Sequence, residues 1–263
     1  MSRGGGSAMI FDSHSHTRFS ADSEMEARAA LRAAEALGIG LVFTEHLDVD
    51  FPGEDDFTFD PAAYWETYAP LRGERLRLGV EVGMTPETCA ASRAFVARAP
   101  FDLVIGSIHV LDGQDLYYSA YYGAHAKEEA YAAYFAQMAA CLKTHDFIDV
   151  LGHIDYIARY AAYANPELSY GAFQEAIDAV LRAAVETDTV LELNTRRLGE
   201  RRAVKELVPI YTRYRELGGR YVTLGSDAHA ADAIGAHFAA AEELAAATRL
   251  RIVTFKERHM ELL

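Results

Sequence analysis

The chain has 263 residues, 51% of them hydrophobic, which is enough apolar material for one large core, and residues 9–263 read as one domain. Its formal net charge of −14 is dispersed without a Lys/Arg run, which argues against a nucleic-acid footprint or an affinity for anionic membrane. Two cysteines, Cys89 and Cys141, are too few for a disulfide framework and favour a reducing, cytoplasmic setting, and no apolar run approaches the roughly 18 residues that span a bilayer.

From the N-terminus, residues 1–8 carry three successive glycines and no apolar stretch, and read as a disordered leader. Seven short apolar β-type runs follow, at 9–11, 41–44, 78–82, 103–108, 149–151, 190–193 and 221–224. Helical patterns lie between and after them, at 24–37, 61–71, 86–97, 127–144, 170–187, 204–217 and 239–247. Strand and helix alternating in this way predict βα units and a parallel sheet covered on both faces. The longest irregular stretches, 47–60 and 111–126, are rich in acidic and aromatic residues and are expected to wall a pocket.

The reactive residues cluster at the C-terminal ends of the predicted strands. The first strand runs into His14 and His16, which extended chain points to one side. The second ends in Thr44-Glu45-His46, the third in Glu81, the fourth in His109, the fifth in His153 and the seventh in Asp227 and His229. Convergence from nearly every strand distinguishes a barrel rim from the single switch point of an open sheet. Histidine and carboxylate donors without cysteine suit zinc, manganese or iron. Six histidines with Glu81, Asp227 and Asp22 exceed one coordination sphere, so two or three ions are expected, with Glu81 placed to bridge. His125, His145, His237 and His259 fall outside this pattern and read as packing or surface residues. There is no HExxH helix, no Gly-x-Ser-x-Gly elbow and no phosphate-binding glycine loop.

Seven segments in order resemble the polymerase and histidinol phosphatase (PHP) family, more narrowly its histidinol-phosphate phosphatase branch. They are Asp12-Ser13-His14-Ser15-His16, Thr44-Glu45-His46, residues 79–83, 106–109 and 152–157, Glu192-Leu193-Asn194-Thr195, and residues 225–229. The resemblance implies a distorted seven-stranded (β/α)7 barrel with a trinuclear site. One ion would take His14, His16, Glu81 and Asp227, a second Glu81, His109 and His153, and a third Asp22, His46 and His229. Asp22 reads equally well as a helix cap.

The resemblance further implies hydrolysis of a small phosphate monoester, L-histidinol phosphate, in histidine biosynthesis. Metal-activated water would attack phosphorus, and the planar forks of Arg159 and Arg197 would hold the phosphate, with Arg202 in reserve. Proton transfer to the leaving group lies open between Asp227 and His229. The amine and imidazole would face Glu54, Asp55 and Asp56 and the tyrosines Tyr117, Tyr118, Tyr121 and Tyr122. In the family a small pair usually follows the Glu-Leu-Asn-Thr segment, whereas this chain has Arg196-Arg197 there, which points to a more anionic ligand. The competing readings are a phosphoesterase for nucleotides, oligonucleotides or another phosphorylated metabolite, and a metal-binding module without activity. The oligomeric state is open.

Overall fold

Leu41, Val42 and Phe43 are consecutive and all fully buried, a pattern that suits a strand covered on both faces. A computed structural model describes residues 9–263, and the expected leader at 1–8 lies outside them. The first half comprises β1 (Phe11–Ser15), α1 (Ala27–Leu37), β2 (Gly40–Leu47), α2 (Pro61–Tyr68), β3 (Leu76–Gly83), α3 (Cys89–Val96) and β4 (Leu103–Ser107). A small hairpin, β5 (Val110–Leu111) and β6 (Gln114–Asp115), leads into α4 (Ser119–Ala124) and α5 (Lys127–Thr144). The second half comprises β7 (Val150–Leu151), α6 (Tyr156–Tyr160), α7 (Gln174–Glu186), β8 (Val190–Asn194), α8 (Arg201–Glu216), β9 (Tyr221–Gly225), α9 (Phe238–Thr248), β10 (Arg251–Lys256) and β11 (His259–Leu262).

The seven expected strands are all present and pair in parallel in the order β1-β2-β3-β4-β7-β8-β9. At the C-terminal rim the first and last of them meet. Ser15 bridges Ala228 in parallel, His16 N–H donates to the Ala228 carbonyl at 2.9 Å, and Asp227 N–H donates to the His14 carbonyl at 2.8 Å. At the opposite end β9 instead pairs in parallel with β10, which pairs antiparallel with β11. Closure at one rim and a diverted edge at the other constitute the distortion of the (β/α)7 barrel.

Alternation along the strands sorts the interior into levels. Val42, Thr44 and His46 share one face of β2, as do Arg77, Gly79 and Glu81 on β3, Leu103, Ile105 and Ser107 on β4, and Val190, Glu192 and Asn194 on β8. Apolar residues of the lower level (Phe11, Val42, Leu103, Ile105, Val150 and Val190) pack with Val253 and Phe255 of β10 as a cluster separate from the larger one formed with the helices. The C-terminal hairpin is tied there through Arg77. The guanidinium lies 4.0 Å from the Phe11 ring centroid and donates to the Phe255 carbonyl at 2.7 Å and to Glu261 at 2.5 Å.

Two departures from the sequence reading concern local order. Residues 111–126 are not irregular, since they hold all of the β5–β6 hairpin but Val110, and helix α4. The segment after 247 is not a plain tail but β10 and β11, joined by a two-residue turn in which Glu257 and Arg258 both have positive φ, 51° and 64°. No helix among the described residues is long and apolar enough to cross a membrane.

Candidate metal centre

Because β1, β2, β3, β4, β7 and β9 run in parallel, their final residues reach the same rim, and the side chains there crowd inward. His14 Nε2 lies 3.0 Å from His16 Nε2, 3.2 Å from Glu81 Oε2 and 3.8 Å from Asp227 Oδ1. His16 Nε2 lies 3.5 Å from both Glu81 Oε2 and Asp227 Oδ1. On the other side of Glu81, Oε1 is 2.9 Å from His153 Nε2 and 3.3 Å from His109 Nε2. At the outer lip, Asp22 Oδ2 is 3.0 Å from His229 Nε2 and 3.6 Å from His46 Nε2. Asp22 is therefore no helix cap, since α1 starts at Ala27 and Glu26 occupies its N-cap. All nine expected ligands lie in one cluster, whereas His237 caps α9, His259 is exposed on β11, and His145 hydrogen-bonds the Cys141 carbonyl at 3.0 Å.

The donor chemistry fits metal ions. Ser20 Oγ spends its proton on Glu45 at 2.7 Å, so it accepts one from His16 Nδ1 at 3.1 Å. Glu192 likewise accepts from His14 Nδ1 at 2.7 Å. When both rings are neutral, each turns an unprotonated Nε2 toward the other at 3.0 Å, an arrangement that favours a cation beside the pair. Glu81 Oε2 and His109 Nε2 are buried without a hydrogen-bond partner.

Charge balance argues the same way. Burial opposes ionisation of Glu81, yet His14, His109 and His46 hold it well below the usual carboxylate range. Burial also opposes charge on His14 and His109, but Glu81 and Glu192 raise the first, and Asp48 and Glu81 the second, well above the usual imidazole range. His16 goes the other way, pushed down by burial and by His46 and His229. The carboxylates demand nearby positive charge, and metal ions compete for that role with protons on the imidazoles.

A family model for the PHP domain matches residues 12–196. The chain belongs to the PHP family. It is 44% identical over 253 residues to a probable histidinol-phosphatase of Clostridium acetobutylicum, covering 96% of this chain and 99% of that one. A histidinol-phosphatase of Lactococcus lactis is 31% identical over 227 residues, 84% of each chain. The crystal structure of histidinol phosphate phosphatase from Lactococcus lactis, complexed with zinc, L-histidinol and phosphate, aligns over 97% of this chain and 100% of its own, with a TM-score of 0.92 at 29% identity.

A cavity of about 420 Å³ opens over this PHP centre. Both long loops wall it, as expected, through Phe51, Glu54, Asp55 and Phe57 on one side and Asp115, Tyr117 and Tyr118 on the other. Asp56 instead caps Thr58, and Tyr121 and Tyr122 are buried away from the cavity. The two expected phosphate arginines part company. Arg159 lines the cavity, donating to Asp227 Oδ2 at 2.6 Å and Asn194 Oδ1 at 3.0 Å, with its buried Nε unpartnered. Arg197 is buried outside it, donating to Asp155 at 3.3 Å and to both Glu167 oxygens at 2.9 and 3.0 Å, so its fork is occupied by carboxylates. Arg202 is exposed beside Asn165 and likewise absent from the cavity. The second cavity guanidinium belongs to Arg196, which donates to the Asp227 carbonyl at 3.1 Å.

Sequence reasoning also missed Asp48, whose Oδ1 accepts from His109 Nδ1 at 2.8 Å and whose Oδ2 lies 3.6 Å from His46 Nδ1. Its signal was its place just past the end of β2, two residues beyond His46 and on the same face. It fits between strands because Gly83 faces it, where a Cβ would come within 1.8 Å of Asp48 Oδ1.

Proposed function

We propose that the protein hydrolyses L-histidinol phosphate to L-histidinol and phosphate, as a metal-dependent phosphoric monoester hydrolase of histidine biosynthesis. The observation that carries this reading is a nine-residue His/Asp/Glu cluster under a cavity with a cationic wall and an acidic, aromatic wall, in a chain closely similar to histidinol phosphatases. Two or three zinc, manganese or iron ions would divide these residues as His14, His16, Glu81 and Asp227; Glu81, His109 and His153; and Asp22, His46 and His229. When bound, such ions lower the pKa of water toward neutrality and offset charge on phosphoryl oxygens.

The protein's own groups do the rest. Arg159, whose two terminal nitrogens donate to Asp227 and Asn194 and which packs 5.3 Å from the Tyr156 ring centroid, keeps a second N–H on each of them for the phosphoryl oxygens, which Arg196 would share. Asp227 stays ionised despite burial because Arg159 and His14 hold it well below the usual carboxylate range, so it serves as ligand and anchor for Arg159. His229, at the lip beside Asp22, and Asp227 would border the leaving oxygen, where a proton is needed. Glu54 and Asp55 would face the substrate amine, and Tyr117 and Tyr118 its imidazole. The cytoplasm is the compartment this reading implies.

Arg196 favours a second reading, a phosphorylated metabolite carrying a further anionic group, including a nucleotide. The test measures phosphate release from histidinol phosphate, sugar phosphates, nucleoside bisphosphates and a short oligonucleotide with one metal throughout. Histidinol phosphate is expected to have the highest kcat/KM. A competitor preferred ten-fold, about 1.4 kcal/mol, overturns the substrate but not the chemistry.

A further inference from the structure

The Glu-Leu-Asn-Thr segment places a carboxylate inside a strand that is otherwise apolar up to that point. Glu192 lies in the middle of β8 and is 1% exposed. A buried carboxylate needs partners, and it has three, all donors. Oε1 accepts from His14 Nδ1 at 2.7 Å, while Oε2 accepts from the His153 backbone N–H at 2.7 Å and from Asn194 Nδ2 at 3.2 Å.

We propose that Glu192 is a positioning residue which fixes the ring tautomer of His14 and the main chain of His153 together, so that one carboxylate sets ligands of two neighbouring metal ions. The inference rests on reading His14 and His153 as ligands. With the His14 proton held on Nδ1, Nε2 keeps its lone pair for a metal ion shared with Glu81 and Asp227, and ring rotation would break a charge-assisted bond. The grip on the His153 N–H holds the end of β7, a strand of only two residues, Val150–Leu151. His153 Nε2 is thereby kept 2.9 Å from Glu81 Oε1.

The neighbouring strand makes room for this device. A Cβ on Gly225 would lie 2.1 Å from Glu192 Oε1 and 2.6 Å from His14 Cβ. Gly225 is not among the positive-φ glycines, so close approach rather than backbone freedom calls for glycine there. The chemistry also discriminates between a carboxylate and its amide. A glutamine presents one acceptor and one donor end, and whichever way it turns, its NH2 meets a donor, either His14 Nδ1–H or the His153 N–H.

The test compares wild type with Glu192→Gln by zinc titration of the chelator-treated proteins, melting of the metal-free forms, and steady-state kinetics. Wild type is expected to bind at least two equivalents. Glu192→Gln is expected to melt somewhat below wild type without metal, to lose about 10- to 100-fold in zinc affinity for more than one equivalent, and to lose kcat more than it raises KM. Unchanged zinc binding by a folded Glu192→Gln overturns the inference, as does a lower metal-free melting temperature with normal binding, which marks a purely structural role. Fewer than two equivalents on wild type overturns the metal-centre reading itself, and this inference with it. If Glu192→Gln does not fold, the imidazole 1H–15N correlation of zinc-loaded wild type decides. A proton on His14 Nδ1 supports the proposal, and one on Nε2 overturns it.

Discussion

At the scale of single residues, Glu81 stands apart because it is fully buried while its oxygens face imidazoles on two sides, Oε1 at 2.9 Å from His153 Nε2 and Oε2 at 3.2 Å from His14 Nε2. Glu81→Gln removes the charge that His14, His46 and His109 all face, so turnover is expected to fall by several orders of magnitude with a loss of bound metal, measured by kinetics and elemental analysis. His237→Asn and His259→Asn serve as controls near wild type, since His237 has φ 60°, which asparagine tolerates, and His259 is exposed. The arginines separate by readout. Arg159→Met is expected to lower kcat/KM by about 10²- to 10³-fold, the cost of losing a charged donor at the phosphoryl group. Arg197→Met leaves Asp155 and Glu167 uncompensated and is expected to cost about 3 kcal/mol of stability while the folded enzyme keeps its kcat. Denaturant melts beside kinetics check the pair.

The clustering of the nine His, Asp and Glu side chains was legible because each lies near a strand's C-terminal end or in the loop after β1, where chain order alone predicts convergence. Asp48 and Glu192 were not. One sits in a run of acidic loop residues and the other inside a strand already counted as apolar, so their roles appear only when the strands are set side by side. Arg197 misled because leaving a strand at the ligand end does not fix which way a side chain turns. The carboxylates that capture it come from residues 155 and 167, on other parts of the chain.

At the scale of elements, the βα alternation was legible because each unit carries its own periodicity. Hairpin β10–β11 was not, because its turn is written without the usual signal. A two-residue turn with positive φ at both positions favours Asn-Gly, and here it is Glu257-Arg258. Tertiary contacts compensate: the Glu257 N–H donates to Asp102 Oδ1 at 3.0 Å, the Arg258 N–H to the Asp102 carbonyl at 3.0 Å, and Arg258 Nε to Asp149 at 2.5 Å. The left-handed conformation costs a non-glycine residue about 1 kcal/mol, less for asparagine. Glu257→Asn keeps the main-chain bonds and loses only an exposed side chain, so it is expected to raise stability by about 0.5 kcal/mol, read as a higher melting temperature with unchanged kcat. A lower melting temperature would place the contribution of Glu257 in its side chain instead.

At the scale of the whole molecule, the centre belongs to no contiguous part of the chain. Asp12 accepts from the Ser226 N–H at 2.8 Å and its hydroxyl at 2.6 Å, across a separation of 214 residues, beside the bridge that joins β1 to β9. Closing so long a loop comes before its contacts are rewarded, so this pairing is expected to form late in folding. During synthesis, His14, His16, His46, Glu81, His109 and His153 all emerge before Asp227 and His229, and without β9 nothing closes the rim around them. If these residues are the ligands, a nascent chain is expected to carry most of them in an open, weakly binding array, with strong metal capture coinciding with completion of the barrel. Metal retention would then report that β9 has docked against β1.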